Sequence, residues 1–254
     1  MNDYPILLIH GTNCRNDGKH HYFGRIPQMI EEQGKKCYLL YGDAWGTIAH
    51  NCELYRWQIK RILSSESCEK VHLIAHSKGG LEARYLVSTM EFAPFVASVT
   101  TLSTPHQGSR TAAIWEKRPL RLHFIGRFLE MYWRQRGDLA PDVVSVVHSL
   151  TPAAMAEFNQ NNPDVPGIVY RSFGAVLAQG HRDYGMACLA HCLTHWDGET
   201  DGLVSPDSAR WSKNHQLLSG VSHRDVVDNR RKKSHCNYDW RRFWYLLLEW
   251  LAEI

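Results

Sequence analysis

Val71-His72-Leu73-Ile74-Ala75-His76-Ser77-Lys78-Gly79-Gly80 is the stretch that decides the reading of this chain. An apolar, strand-like run stops at a serine and two glycines follow. Leu81-Glu82-Ala83-Arg84-Tyr85-Leu86 then has the composition of a helix. Strand, serine and helix in that order describe a nucleophile elbow, a sharp turn that lifts a hydroxyl above the end of a strand. Small flanking residues let the strand and the helix approach each other. The usual pattern is G-x-S-x-G; here Ala75 stands at the first glycine, a change of one methyl group. The competing reading of Ser77 is a plain helix N-cap, since serine caps helices well.

A serine hydroxyl is a weak nucleophile and needs a base, itself oriented by a third group. On a scaffold with such an elbow, the acid and then the histidine follow the serine along the chain. The acid candidate is Asp201, in a loop after a Gly-Glu-Thr turn. The base candidate is His223, presented by a loop after the short strand-like run Gln216–Leu218. The stretch between them is long enough for one crossover between adjacent strand ends.

The chain holds 15 histidines, so His223 has rivals. His10 precedes Gly11 at a strand end. His76 adjoins the serine, where neighbouring side chains point differently. His106 comes before any acid candidate, His215 starts a strand, and His235 lies beside a basic run. His223 alone combines chain order, loop placement and distance from Asp201. Donors for a developing oxyanion are also needed. The N–H of Lys78, directly after the serine, supplies one. The N–H of Thr12, after the turn at Gly11, supplies the other.

Taken together, Ile9-His10-Gly11, Ala75-His76-Ser77-Lys78-Gly79-Gly80, Thr104-Pro105-His106-Gln107-Gly108-Ser109, Leu150-Thr151-Pro152 through Phe158-Asn159, Asp201-Gly202-Leu203-Val204-Ser205 and His223-Arg224-Asp225 resemble the bacterial triacylglycerol lipases of the α/β-hydrolase fold, particularly the Pseudomonas, Burkholderia and Proteus group. The pieces occur in the family's order and span nearly the whole chain. The resemblance implies Ser77 as nucleophile, Asp201 as acid, His223 as base and Thr12 and Lys78 as oxyanion donors. It also implies a lipid or small ester as substrate. No cofactor is required for that chemistry. Some of these lipases hold a structural calcium ion beside the histidine loop, which makes Asp183 and Asp225 candidate ligands, with Asn229 nearby. Oxygen ligands suit calcium. The other reading of Asp225 is that it bonds backbone amides to hold the loop. His181, His191, Cys192, His195 and Asp197 match no dependable zinc spacing.

Two other uses of the same residues stay open. One is an acyltransferase or thioesterase working through the same triad. The other is a non-catalytic binding protein on a hydrolase scaffold.

A chain of 254 residues with 44% hydrophobic content suits one domain over 1–254 built on a single α/β sheet. The formal charge of +3 is too small to argue for a nucleic-acid partner, and Arg230-Arg231-Lys232-Lys233 reads as a solvated loop face. No apolar run approaches the length of a membrane span. The first core strand follows Met1 closely, without a signal-like segment. Seven cysteines, an odd number without a secreted-scaffold pattern, read as reduced thiols. The expectation is a cytoplasmic protein; a chain stripped of an export signal would look the same.

Strand-like runs fall at Ile6–His10, Cys37–Tyr41, Val71–Ala75, Val99–Ser103, Ile168–Phe173 and Gln216–Leu218. Helix-like runs fall at Tyr22–Glu32, Ile48–Leu63, Gly80–Thr89, Pro152–Asn159 and Asp239–Ala252. This alternation predicts a mostly parallel sheet with helices on both faces. In the last helix, Phe243, Leu247 and Trp250 recur at helical spacing and predict a core face. Residues 111–147 interrupt the rhythm with an amphipathic, arginine-dotted helical segment. In the resembling lipases this place forms a lid, so the segment is a candidate lid. Its apolar face would pack inward in water and turn outward for transient contact with a lipid interface. The alternative is a helix permanently packed on the scaffold. Gly126 and Gly137 are candidate hinges.

Overall fold

The computed structural model describes residues 4–15, 22–177, 185–188, 191, 198–229 and 238–254. Six parallel strands form one sheet in the order β2-β1-β3-β4-β5-β6. They are β1 Ile6–Ile9, β2 Cys37–Leu39, β3 Val71–His76, β4 Val96–Leu102, β5 Val169–Val176 and β6 His215–Ser219. Each overlaps a strand-like run of the sequence. Every residue of β1, β3 and β4 is buried. Continuous apolar runs are what strands covered on both faces require.

Helices occupy Ile26–Glu32 (α1), Ile48–Glu66 (α2), Lys78–Val87 (α3), Arg110–Glu116 (α4), Pro119–Gln135 (α5), Val143–Ser149 (α6), Pro152–Asn161 (α7), Pro206–Ala209 (α8) and Trp240–Leu251 (α9). Strand periodicity divides the core between the two faces. Ile6 and Leu8 of β1 pack with α1 and α9, whereas Leu7 and Ile9 pack with α2 and α3. Local signals set several helix starts. Thr47 accepts the His50 N–H at 3.3 Å at the start of α2, and Asp239 accepts the Arg242 N–H at 3.1 Å at the start of α9. The start expected at Tyr22 moves to Ile26, where Pro27 occupies the first turn.

The buried stripe of α9 runs through Trp240, Trp244, Leu247, Leu248 and Leu251, with Phe243 and Trp250 partly buried at its margins. It is rotated from the stripe the sequence spacing predicted, because the indole rings of Trp240 and Trp244 take the central positions. Trp244 Nε1 donates to the Val226 carbonyl at 3.1 Å, so this helix braces the loop that carries His223.

The 111–147 segment folds as three helices, α4 to α6, rather than one. The expectation that its apolar face packs inward is corrected. Leu122, Gly126 and Trp133 of α5 are buried. Leu120, Phe124 and Phe128, on the face that continues every fourth residue, are 88%, 66% and 54% exposed. The helix is apolar on both sides, and its partners α4 and α6 cover only one of them. Gly126 is buried facing α6, where an added Cβ would lie 3.4 Å from Val144 Cγ2, an ordinary contact distance. Gly137, at φ +99°, ends the helix in a backbone conformation that glycine favours. Beyond it, Asp43 Oδ1 accepts the Leu139 N–H at 3.0 Å and Asp43 Oδ2 accepts the Ala140 N–H at 2.6 Å, fastening the end of the segment to the loop after β2.

Candidate active site

Because all six strands run parallel, their C-terminal ends share one rim, where open α/β sheets bind ligands. Ser77 follows the last residue of β3 and begins the turn into α3. From Val71 to Arg84 it is the one residue that is not buried. Its φ of 55° and ψ of −132° are strained for a side chain bearing a Cβ. Such strain persists only where the surroundings enforce it. Here the glycines do so. A Cβ on Gly79 would stand 2.5 Å from the His10 carbonyl oxygen, and one on Gly80 would stand 2.0 Å from Thr104 Oγ1. The helix therefore presses directly on the ends of β1 and β4. Ser77 makes no N-cap bond with its side chain, which removes the plain-cap reading.

Asp201 and His223 meet as the sequence predicted. His223 Nδ1 and Asp201 Oδ2 are 2.8 Å apart, and the His223 N–H donates to the Asp201 carbonyl at 2.8 Å. The carboxylate is fully buried. Its Oδ1 accepts the Leu203 and Val204 N–H groups at 2.9 and 2.8 Å. These bonds satisfy a charge that burial would otherwise penalise. The imidazole is 5% exposed.

Ser77 and His223 line one cavity of about 280 Å³, together with Thr12, Tyr22, His76 and Leu203 among others. No hydrogen bond joins Ser77 Oγ to His223 among the described residues; in unliganded sites that bond is often long. Thr12 sits in the cavity wall. Lys78 is the first residue of α3, so its N–H has no acceptor within the helix. Its side chain turns away, donating to the Gly46 carbonyl at 2.9 Å and pairing with Glu82. Asn51 Nδ2 and the Tyr55 hydroxyl also donate to Glu82, at 2.8 and 3.1 Å.

Asp183 lies outside the described residues, as do His181, Cys192, His195, Asp197 and the 230–233 basic tract. Asp225 Oδ2 accepts the Ser222 N–H at 3.4 Å, and its own N–H meets Ser222 Oγ at 3.2 Å. The carboxylate thus bonds within the His223 loop. Among the described residues, no group of three or more His, Cys, Asp or Glu side chains is arranged to hold a metal ion.

His106 and the Leu150–Asn159 motif serve the frame. His106 faces Arg84 Nη1 at 3.2 Å and Thr101 Oγ1 at 3.0 Å, and its ring stacks on Trp211. The Arg84 guanidinium lies 3.4 Å from the Trp211 ring centroid and donates to Asn159 and Asn162. Burial lowers its pKa to about 10. A larger groove of about 700 Å³, lined by Tyr38, Tyr41, Leu54, Trp57 and others, runs between β2 and α2 and holds none of the predicted site residues. Tyr22 was missed in the sequence: it precedes a helix, and only the turn back from α1 brings its ring over the cavity.

A family model described as palmitoyl protein thioesterase matches residues 5–140, just over half the chain. Triacylglycerol lipase 2 of Saccharomyces cerevisiae is 28% identical over 191 residues, which cover 73% of this chain and 53% of the yeast protein. A Pseudomonas fragi triacylglycerol lipase is 38% identical over 125 residues, 48% of this chain and 40% of that protein. The chain spans about half the length of the curated relatives it matches. Among solved structures, a Staphylococcus hyicus lipase superposes with a TM-score of 0.77 at 16% identity, covering 99% of this chain and 96% of its own. The mature form of a Bacillus licheniformis lipase gives 0.70 at 19%, covering 89% and 87%. The expected α/β-hydrolase fold and the resemblance to triacylglycerol lipases are both borne out.

Proposed function

This chain belongs to the palmitoyl protein thioesterase family, and from that premise and the geometry around Ser77 we propose that it is a serine carboxylic ester hydrolase acting on lipid esters through an acyl-enzyme. The observation that carries the reading is the pairing of His223 with a fully buried Asp201, at the wall of the same cavity into which the strained elbow presents Ser77.

Ser77 Oγ attacks the ester carbonyl carbon while His223 takes the hydroxyl proton. Asp201 fixes the imidazole tautomer and stabilises the imidazolium. The main-chain N–H groups of Thr12 and Lys78 face the oxyanion of the tetrahedral intermediate. His223 then protonates the leaving alcohol, and the acyl group stays on Ser77. Water attacks that acyl-enzyme with His223 as base, releasing the fatty acid.

The partner surface belongs to the same proposal. The outward face of α5 carries Leu120, Phe124, Phe128 and Met131, all exposed. Lys117, Arg118, Arg121, Arg127, Arg134 and Arg136 around it are also exposed. Glu130 accepts the Val143 N–H. Apolar side chains ringed by cations suit transient contact with a lipid surface. No helix of the described residues is long and apolar enough to cross a membrane. The cytoplasmic placement rests on thiol usage, including the free thiols Cys37, Cys52, Cys68 and Cys188.

Turnover of nitrophenyl acyl esters of increasing chain length, by wild type and Ser77→Ala, tests the reaction. Activity in Ser77→Ala within tenfold of wild type rejects it. The matched family's description favours a second reading, cleavage of a thioester by the same residues. The ratio of kcat/KM for an acyl thioester and its oxygen ester separates the two, and added alcohol acceptors expose acyl transfer.

A further inference from the structure

Beside His223 lies a second buried histidine that the proposed mechanism does not use. His76, the last residue of β3, is 1% exposed, and its ring centroid is 4.4 Å from that of His223. A proton on either ring would face the other across that gap. His76 Nδ1 is 2.6 Å from the Tyr22 hydroxyl. Its Nε2 is buried and has no hydrogen-bond partner among the described residues. The phenol oxygen also packs on Gly11, where an added Cβ would stand 2.7 Å from it. A proton donated by the phenol to His76 Nδ1 leaves the imidazole hydrogen on Nε2.

Tyr22 is itself held to the His223 loop. Asn229 Nδ2 donates to the Tyr22 carbonyl at 2.9 Å, and Arg25 pairs with Asp228 at 2.6 Å. The segment before α1 and the loop after β6 are therefore bonded to each other beside the two imidazoles.

We propose that Tyr22 is a positioning residue that acts through His76: its hydroxyl locks His76 in the neutral Nε2–H form, so the imidazolium formed at His223 meets no second positive charge. The inference rests on the assignment of His223 as base. Among the described residues, several titratable or charged groups surround His76, and Arg224 lines the same cavity from the loop after β6. Tyr22, with His10 against its ring, comes from the segment before α1, His223 with Asp201 behind it from the loops after β6 and β5, and Cys14 from the loop after β1. The Lys78–Glu82 pair lies on α3. Burial and the neighbouring His223 both hold the His76 pKa well below the ordinary imidazole value. With the phenol donating to the neutral ring, its loss favours protonation of His76.

The test uses Tyr22→Phe and has two arms. In imidazole ¹H–¹⁵N spectra of the whole chain, wild-type His76 should show a protonated Nε2 and an accepting Nδ1, unchanged from pH 8 to pH 5.5. In Tyr22→Phe it should titrate at a pH higher by at least half a unit. A wild-type Nδ1–H tautomer, or a titration indifferent to the substitution, overturns the lock. In the second arm, the acid limb of kcat/KM should gain a further ionisation in Tyr22→Phe, and that gain should vanish in Tyr22→Phe/His76→Gln. A lowered plateau with an unmoved acid limb means a packing role and overturns the proposal. If Ser77 fails to react with a fluorophosphonate, the hydrolase reading fails by itself, and the spectra still decide the state of His76.

Discussion

His223 is tied to Asp201 twice: its Nδ1 lies 2.8 Å from Asp201 Oδ2, and its main-chain N–H donates to the Asp201 carbonyl at 2.8 Å. The first contact fixes the ring and the second fixes the loop, so the geometry survives if only the side-chain bond is altered. Asp201→Asn keeps an acceptor for Leu203 and Val204 but offers the imidazole an amide, which favours the wrong tautomer. The expected result is a folded protein with kcat for a soluble ester lowered on the order of 10⁴-fold. A loss below tenfold, measured at the pH of highest wild-type activity, would show that the pair does not serve catalysis.

Lys78 and Glu82 form an ion pair inside the molecule, at 1% and 0% exposure. Asn51 and Tyr55 complete its hydrogen bonds. Removing one charge from such a pair leaves the other uncompensated. Glu82→Gln is expected to lower unfolding stability by about 3 kcal/mol in urea titration. An unchanged midpoint would mean that the Lys78 ammonium finds water or another acceptor when Glu82 is gone.

Acid should weaken the fold early. Burial depresses the pKa values of His10, His76 and His106 below that of a free imidazole. The unfolded chain therefore binds more protons once the pH drops below about 6.5. The stability that these groups give is present in full above that pH and declines as the pH falls below it, by up to about 1.4 kcal/mol per pH unit for each histidine. Denaturant midpoints at pH 7.5, 6.5 and 5.5 should fall in that order. Constant or rising midpoints would contradict the burial of these rings in neutral form.

The outward row of α5 predicts a surface phenotype separable from chemistry. Phe124→Asp/Phe128→Asp should reduce sedimentation with vesicles containing anionic phospholipid, and added salt should weaken wild-type binding. Hydrolysis of a dissolved short ester should persist. Equal sedimentation of wild type and variant would remove this face from the lipid contact.

Much of the frame was legible because its signals are local. The runs that became β1, β3 and β4 are continuously apolar, as strands covered on both faces must be. The elbow was legible because only glycine fits where α3 touches the His10 carbonyl and Thr104. The order of Ser77, Asp201 and His223 gave the pairing now seen between the last two. What stayed hidden depends on tertiary approach. The side of α5 that faces solvent is set by α4 and α6, not by its own periodicity. Tyr22 reaches the cavity through the Arg25–Asp228 and Asn229 contacts, 203 and 207 residues apart in the chain. Arg84 is an ordinary helix residue in sequence, and only the rings of Trp211 and Phe158 show that it is enclosed.

The central claim is that the Ser77 hydroxyl is activated toward acyl carbonyl carbons. The most direct measurement is intact-mass and peptide mapping after brief exposure to a fluorophosphonate, for wild type and His223→Ala. One adduct per chain, on Ser77, lost when His223 is replaced, is the predicted result. An unmodified Ser77 in folded wild-type protein, or labelling that is indifferent to His223, would contradict the account.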